Sequence, residues 1–425
     1  MDLFSRRLLR FIKIEIHDAM KTPLFLCFIL LNINAFAGQT DTTDSAAAIK
    51  KNNPSRQRDI FNVLKTLFKK SIASSDTVGK EKGKLYVAAL PGVGYSLSTA
   101  YAVTIGANAG IYTADIDSVN LSTFDFNPTY TAKRQIILPF RSNVWTPGNS
   151  YNILGDWIYY KYPEKTYGLG GHTLPSAAQQ LDYRYILVRE AVLKRIYTDI
   201  YFGAGYALDY HWDIVDGGLA GGALSDFQRY GETAKSISSG YTLDILYDGR
   251  HNPINPTKGY YASVVFRDNS TVLGSDENWQ SLILDLRSYY KAPRGPRNIL
   301  ALWSYDWFVL GGTPPYLDLP ASSWDTYANQ GRGYVKSRFR GRNLVSLESE
   351  YRFGITRDGL IGGVAFVNVQ SVSDWPSNAF EVFHPGFGGG IRIKMNKRDD
   401  ANVAIDYGFG LQGSQGVFVN LGEVF

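Results

Sequence analysis

Ser96 lies in the run Gly94-Tyr95-Ser96-Leu97-Ser98, where a serine nucleophile would first be sought. A nucleophile elbow needs a closing glycine and a strand-to-helix turn. Here the final glycine is missing and the surrounding residues predict strands. His172, His211, His251 and His384 fall in predicted loops or turns, with no carboxylate or metal-ligand spacing in the sequence beside them. The one cysteine, Cys27, belongs to an apolar N-terminal run. These residues predict no catalytic group, no metal site and no cofactor, so the chain is not expected to be an enzyme. Asp285 and Arg287 behave differently, since they alternate with Leu282, Leu284 and Leu286. That spacing puts both charges on one face of a strand, where they read as an ion pair filling a polar interior.

The elements that would position such pairs follow from composition and periodicity. The chain has 425 residues, 44% hydrophobic and 14% aromatic, with 29 Tyr and 42 Gly. Beyond the N-terminal run, no segment approaches the roughly 18 apolar residues of a spanning helix. Abundant Tyr and Gly with few Met and Cys suit strands that alternate between lipid and water. The formal net charge is +5, and the basic excess is local, with ten Lys/Arg against three Asp/Glu in residues 50 to 84. No nucleic-acid footprint is present.

The apolar run Pro23 to Ile33 precedes Ala35-Phe36-Ala37, a small-x-small cleavage site. Residues 1–37 are therefore expected to be an export signal, with translation starting at Met20 and a mature chain free of thiols. Residues 38–84 read as a periplasmic leader. Within it Ile60, Phe61, Leu64, Leu67, Phe68 and Ile72 recur at helical spacing, which predicts an amphipathic helix over 54–73. Such a helix would dock on anionic lipid or pack on a barrel rim.

From Leu85 the period becomes two. Leu347, Tyr351 and Phe353 alternate with Ser346, Glu348, Glu350 and Arg352; Tyr241, Leu243, Ile245 and Tyr247 alternate with Asp244 and Asp248. Charges on one side cannot face hydrocarbon, so the pattern predicts a sixteen-stranded antiparallel transmembrane β-barrel over 85–425 with a polar lumen. The strands fall near 85–94, 97–114, 119–131, 134–145, 150–162, 181–193, 196–212 and 237–248, and then near 258–270, 278–291, 298–310, 343–355, 359–372, 384–396, 401–412 and 416–425. The longest connections, 163–180, 213–236 and 311–342, all join odd to even strands. Outer-membrane barrels carry their long loops outside, which places both termini in the periplasm. At the C-terminus Val417, Val419, Leu421 and Phe425 share a face broken only by Glu423. A terminal strand ending on an aromatic residue is the address read by the barrel-assembly machinery through edge pairing.

The segment GRGYVKSRFRGRNLVSLESEYRF, Gly331 to Phe353, contains Arg332-Gly333-Tyr334 between the eleventh and twelfth predicted strands. It resembles the BamA/TamA (bacterial surface antigen) family of outer-membrane barrels, whose sixth extracellular loop carries Arg-Gly-Phe/Tyr. The turn Asp248-Gly249-Arg250-His251-Asn252-Pro253-Ile254-Asn255-Pro256-Thr257-Lys258-Gly259 and the ending Val419 to Phe425 are similar to two further marks of that family. The resemblance covers residues 85 to 425. It implies a loop folded back into the lumen, and a buried guanidinium there must be paired. Glu350, or Glu348 on the same inward face, is the expected partner of Arg332, since a carboxylate accepts its planar donor fork. Gly333 would permit close backbone approach and Tyr334 would pack on the wall. Where the family has an acidic residue, Asn368 stands in Phe366-Val367-Asn368-Val369-Gln370; it is expected to accept a hydrogen bond from Arg332 without supplying charge.

The resemblance also implies a role in inserting or translocating proteins or lipids through a weak seam between the first and last strands. Gly92, Gly94, Gly416 and Gly422 would loosen that seam. Forty-seven leader residues are too few for a POTRA domain, so a partner would have to supply that function. The other expected partners are outer-membrane lipid and the assembly machinery. A passive pore, or a surface receptor using the long loops, are the competing readings.

Overall fold

A computed structural model describes residues 82–425 apart from 97, 116–117, 220, 251, 293–296 and 396–400. The expected export signal and the helix at 54–73 lie outside the described residues. No described helix is long and apolar enough to cross a membrane.

Eighteen strands follow one another as an antiparallel meander. They are β1 Tyr86–Ser96, β2 Ala100–Ile111, β3 Ser122–Phe126, β4 Thr129–Thr131, β5 Ile136–Trp145, β6 Tyr151–Lys161, β7 Glu164–Thr166, β8 Gln179–Tyr197 and β9 Ile200–Asp216. Then come β10 Lys235–Asp248, β11 Gly259–Asn269, β12 Trp279–Lys291, β13 Ile299–Gly312, β14 Asn343–Gly354, β15 Ile361–Val372, β16 His384–Lys394, β17 Asn402–Phe409 and β18 Gln415–Leu421. A short helix, α1 Asp226–Gly231, sits in the β9–β10 loop behind a capping box at Ser225.

The predicted strand 119–131 is split, the line of the predicted strand 150–162 continues past its expected end as β7, and a proline stands at each break. β3 and β4 both lie between β2 and β5, separated by Asn127-Pro128. β6 and β7 both pair with β8, separated by Tyr162-Pro163. Proline has no N–H to give to the ladder, so the strand is interrupted where it stands. The neighbours keep the line: Pro128 O accepts from Ile105 N at 3.1 Å, and Tyr162 N donates to Tyr183 O at 3.0 Å. β8 and β9 also run further than the alternation alone predicts, joined by the two-residue turn Thr198-Asp199 with Asp199 at φ +59°.

The burial pattern is inverted relative to a water-soluble sheet. On β10, Tyr241, Leu243 and Ile245 are 38%, 40% and 46% exposed, whereas Thr242 and Asp244 are buried. On β17, Ile405, Tyr407 and Phe409 face out while Asp406 is 1% exposed. Exposed apolar side chains alternating with buried charges make sense only if the outside is apolar. β1 and β18 lie side by side, so the sheet curls on itself. Among the described residues no backbone ladder joins those two strands, whereas β1 pairs with β2 along its whole length and β18 with β17.

Candidate functional site

The long β13–β14 loop, residues 313–342, does not lie over the mouth of the barrel but descends into it, and only 313 and 326–328 stay exposed. Each end is held by charge. The Arg340 guanidinium donates to the carbonyls of Tyr316 and Leu317 at 3.0 Å and meets Glu164 Oε1 at 3.3 Å. Asp318 accepts from Ser238 Oγ at 2.5 Å, beside Asp209, whose two oxygens accept from Arg189 Nη2 at 2.8 and 2.7 Å and which also pairs with Arg267. These contacts fix one side of the loop against β7 to β11.

Arg332-Gly333-Tyr334 fixes the other side. The Arg332 side chain is fully buried, its Nη1 is 2.5 Å from Asp406 Oδ2, and its Nη2 contacts Glu348 and Glu350. Its guanidinium plane lies 3.7 Å from the centroid of the Phe366 ring. Three carboxylates and an aromatic face thus enclose one cation, which is the condition for a buried charge to persist. Gly333, at φ +107°, brings the backbone so close to β17 that a Cβ would sit 2.6 Å from Phe409 O. Glycine is needed there on both counts. The floor is built to match, because a Cβ on Gly408 or Gly410 would strike Gly333 N at 2.8 Å or the Tyr334 ring at 2.6 Å. Tyr334 Oη donates to Pro385 O at 2.7 Å and accepts from Leu411 N at 2.9 Å.

The ion cluster continues below the tripeptide. Arg352 Nε is 2.8 Å from Glu350 Oε2, Arg392 Nη1 is 2.5 Å from Asp406 Oδ1, and Arg392 Nε is 2.7 Å from Glu423 Oε2. Glu423, the one break in the apolar pattern of the last segment, is therefore an inward ligand of the network. β18 ends at Leu421, Gly422 turns at φ +92°, and the final residues enter the lumen. There Phe425 stacks on Trp303 at 5.1 Å and its carbonyl accepts from Arg352 Nη2 at 2.8 Å. Asn329 Nδ2, from the plug loop, donates to Val424 O at 2.8 Å, so the chain end and the loop hold each other.

Sequence reasoning brought Glu348 and Glu350 to Arg332 but missed Asp406, Arg392 and Glu423. Their inward phase was readable; which of them share a layer was not. Asn368 corrects an expectation: its Nδ2 donates to Arg332 O at 2.9 Å instead of its oxygen accepting from the guanidinium. An amide can donate to a carbonyl where a carboxylate could not, and Asp406, two strands further on, supplies the third negative charge. Phe425 is a second correction, because it is 3% exposed inside the barrel while Val419 stays 40% exposed outside. Gly92, Gly94 and Gly416 lie on β1 and β18, opposite Thr104, Ala102 and Gly408, whereas Gly422 lies just past the last strand. Asp285 and Arg287 pair at 2.7 and 2.8 Å, with Trp303 Nε1 donating to Asp285 at 2.9 Å. The absence of carboxylates around the histidines holds only along the sequence: His172 lies 3.3 Å from Glu381, and His211 lies 3.5 Å from Asp318.

Fold and site together define a single-chain antiparallel β-barrel with an apolar exterior, whose lumen holds its own loop 313–342 and the residues Val424 and Phe425. No family model and no curated protein matches the sequence. Among solved structures the chain is similar to BamA from Haemophilus ducreyi lacking POTRA domains 1–3, with a TM-score of 0.52 at 11% identity over 80% of this chain and 70% of that one. It is also similar to CdiB from Acinetobacter baumannii, with a TM-score of 0.50 at 12% identity over 80% of this chain and 60% of that one. The chain thus has the fold of the BamA-type barrels.

Proposed function

We propose that this protein is a bacterial outer-membrane barrel that helps to insert or translocate proteins, or lipids, through the junction of β1 and β18. Counting β3 with β4 and β6 with β7 as single staves gives sixteen, with both described ends on the periplasmic side and the long loops outside. The observation that carries the reading is the contrast between a locked lumen and an unladdered junction. The guanidinium network holds loop 313–342 inside the barrel, while β1 and β18 are neighbours with no backbone ladder among the described residues. Unpaired strand edges can template an incoming strand. Gly92, Gly94 and Gly416 weaken the strands that would have to part. The likeness to BamA and CdiB supports the architecture this mechanism requires.

The test is to place cysteine pairs along Val87–Tyr95 and Val417–Val419, close them by oxidation, and follow folding of urea-unfolded barrel substrates into proteoliposomes holding the protein. Locking should abolish the acceleration and reduction should restore it. Equal rates in both states would remove the lateral-opening mechanism. A passive pore is disfavoured by the buried loop, and planar-bilayer recordings address it: a large steady conductance indifferent to Arg332→Ala would favour the pore.

A further inference from the structure

On the long-loop rim, apart from the guanidinium network, side chains from two loops converge. His172 comes from the β7–β8 loop, and Asp374 and Glu381 from the β15–β16 loop. His172 Nε2 is 3.3 Å from Glu381 Oε2 and 4.0 Å from Asp374 Oδ2, and one donor atom from each residue lies within 4.8 Å of the others. The His172 and Glu381 side chains are 66% and 49% exposed, whereas that of Asp374 is 12% exposed. Asp374 Oδ1 accepts from Gly171 N at 2.8 Å, but its Oδ2 is buried and has no hydrogen-bond partner. A buried carboxylate oxygen with no donor is costly. This one is aimed at an imidazole nitrogen and a second carboxylate, an arrangement that a cation would complete.

We propose that His172, Asp374 and Glu381 form a site for a first-row transition dication of the zinc type, tying the two loops together across the mouth of the barrel. Metal–ligand bonds of about 2.0–2.2 Å put the ligand atoms of a tetrahedral centre roughly 3.3 Å apart. The His172–Glu381 separation of 3.3 Å already has that spacing, and the 4.0 Å to Asp374 needs only a small shift of the two exposed side chains. One imidazole with two carboxylates suits zinc better than calcium or magnesium, which take oxygen cages, and three protein ligands leave a position for water. Outer contacts orient the donors: Gly171 N holds Asp374, and Ser377 Oγ donates to Glu381 Oε1 at 3.3 Å. Gly170 N donates to Arg340 O at 2.7 Å, so a metal here would also brace the lumenal loop from above. The site is independent of the proposed insertion activity.

Protein without a polyhistidine tag, stripped with chelator in detergent micelles, is titrated with Zn²⁺ by calorimetry and with Co²⁺ by visible absorption. One Zn²⁺ should bind per barrel and Co²⁺ should give the d–d bands of a four-coordinate centre. His172→Gln and Asp374→Asn should each weaken binding by about a hundredfold or more, since even outer-shell partners are worth roughly 10–100-fold. His172 is exposed, so its variant should keep the heat-dependent gel migration of a folded barrel. Absence of saturable one-to-one Zn²⁺ binding, unchanged affinity in Asp374→Asn, or equal binding of Mg²⁺ would each overturn the assignment and leave a histidine–carboxylate ion pair.

Discussion

Replacing Arg332 by alanine removes one of three cations, Arg332, Arg352 and Arg392, from a cluster that holds four carboxylates, Glu348, Glu350, Asp406 and Glu423. The loss does not fall evenly. Glu350 keeps Arg352 at 2.8 Å and Asp406 keeps Arg392 at 2.5 Å, but among the described residues Arg332 is the one cation paired with Glu348. Breaking a buried pair from one side costs about 3–5 kcal/mol, because the remaining charge is left uncompensated. At about 1.4 kcal/mol per factor of ten, the local opening of loop 313–342 should become roughly a hundredfold to several thousandfold more frequent. Lys336, Arg338, Arg340 and Arg342 lie in that loop, so limited trypsin treatment of intact barrels reads the opening directly. Wild-type protein should resist cleavage there, and Arg332→Ala should be cut between residues 332 and 342. The double change Arg332→Ala with Glu348→Gln should recover much of the protection, because the orphaned charge is gone. If the single variant is cleaved at a rate within threefold of wild type, the guanidinium does not hold the loop. If the double variant is no better protected than the single one, the cost does not reside in Glu348.

Gly333→Ala should expose the same trypsin sites, since a methyl group at φ +107° would sit 2.6 Å from Phe409 O. Phe425→Ala removes a ring 3% exposed and stacked on Trp303; a cost of about 3–5 kcal/mol should appear as a lower urea midpoint, measured on refolded protein so that biogenesis does not enter. Burial lowers the Lys336 amine to about 8 against the pull of Glu164 and Asp325. An unfolded lysine titrates near 10.4, so the unfolded chain binds more protons between those values and stability should rise as pH climbs from about 8 to about 10. Thermal midpoints across that range should show the rise; Lys336 Nζ lies 3.7 Å from the centroid of the Trp324 ring, and Lys336→Met, which can keep that packing, should flatten it.

The strand segmentation was legible because it depends on a local period. Side chains alternate across a strand whatever the rest of the chain does, so β10, β14 and β17 could be placed from Tyr241 to Tyr247, Asn343 to Phe353 and Ala401 to Gln412 alone. The break at Pro128 escaped notice because the flanking alternation continues across it, whereas the strand expected at 150–162 stopped short of Pro163 and left β7 in a predicted loop. Arg332, Gly333 and Tyr334 were found through resemblance to a known loop, and Glu348 and Glu350 followed because they are near in sequence and share the inward phase.

What the sequence determined by itself is therefore which residues face hydrocarbon, which face inward, and where the chain must turn. Only the tertiary structure decided which inward charges meet. That depends on strand tilt and stagger around the closed sheet, a collective quantity that no single strand encodes. So Asp406 reaches Arg332 from 74 residues away, Glu423 turns in to Arg392, and Phe425 leaves the lipid-facing row for a place against Trp303. A period-two pattern states the side on which a residue lies; the height at which it sits belongs to the whole barrel.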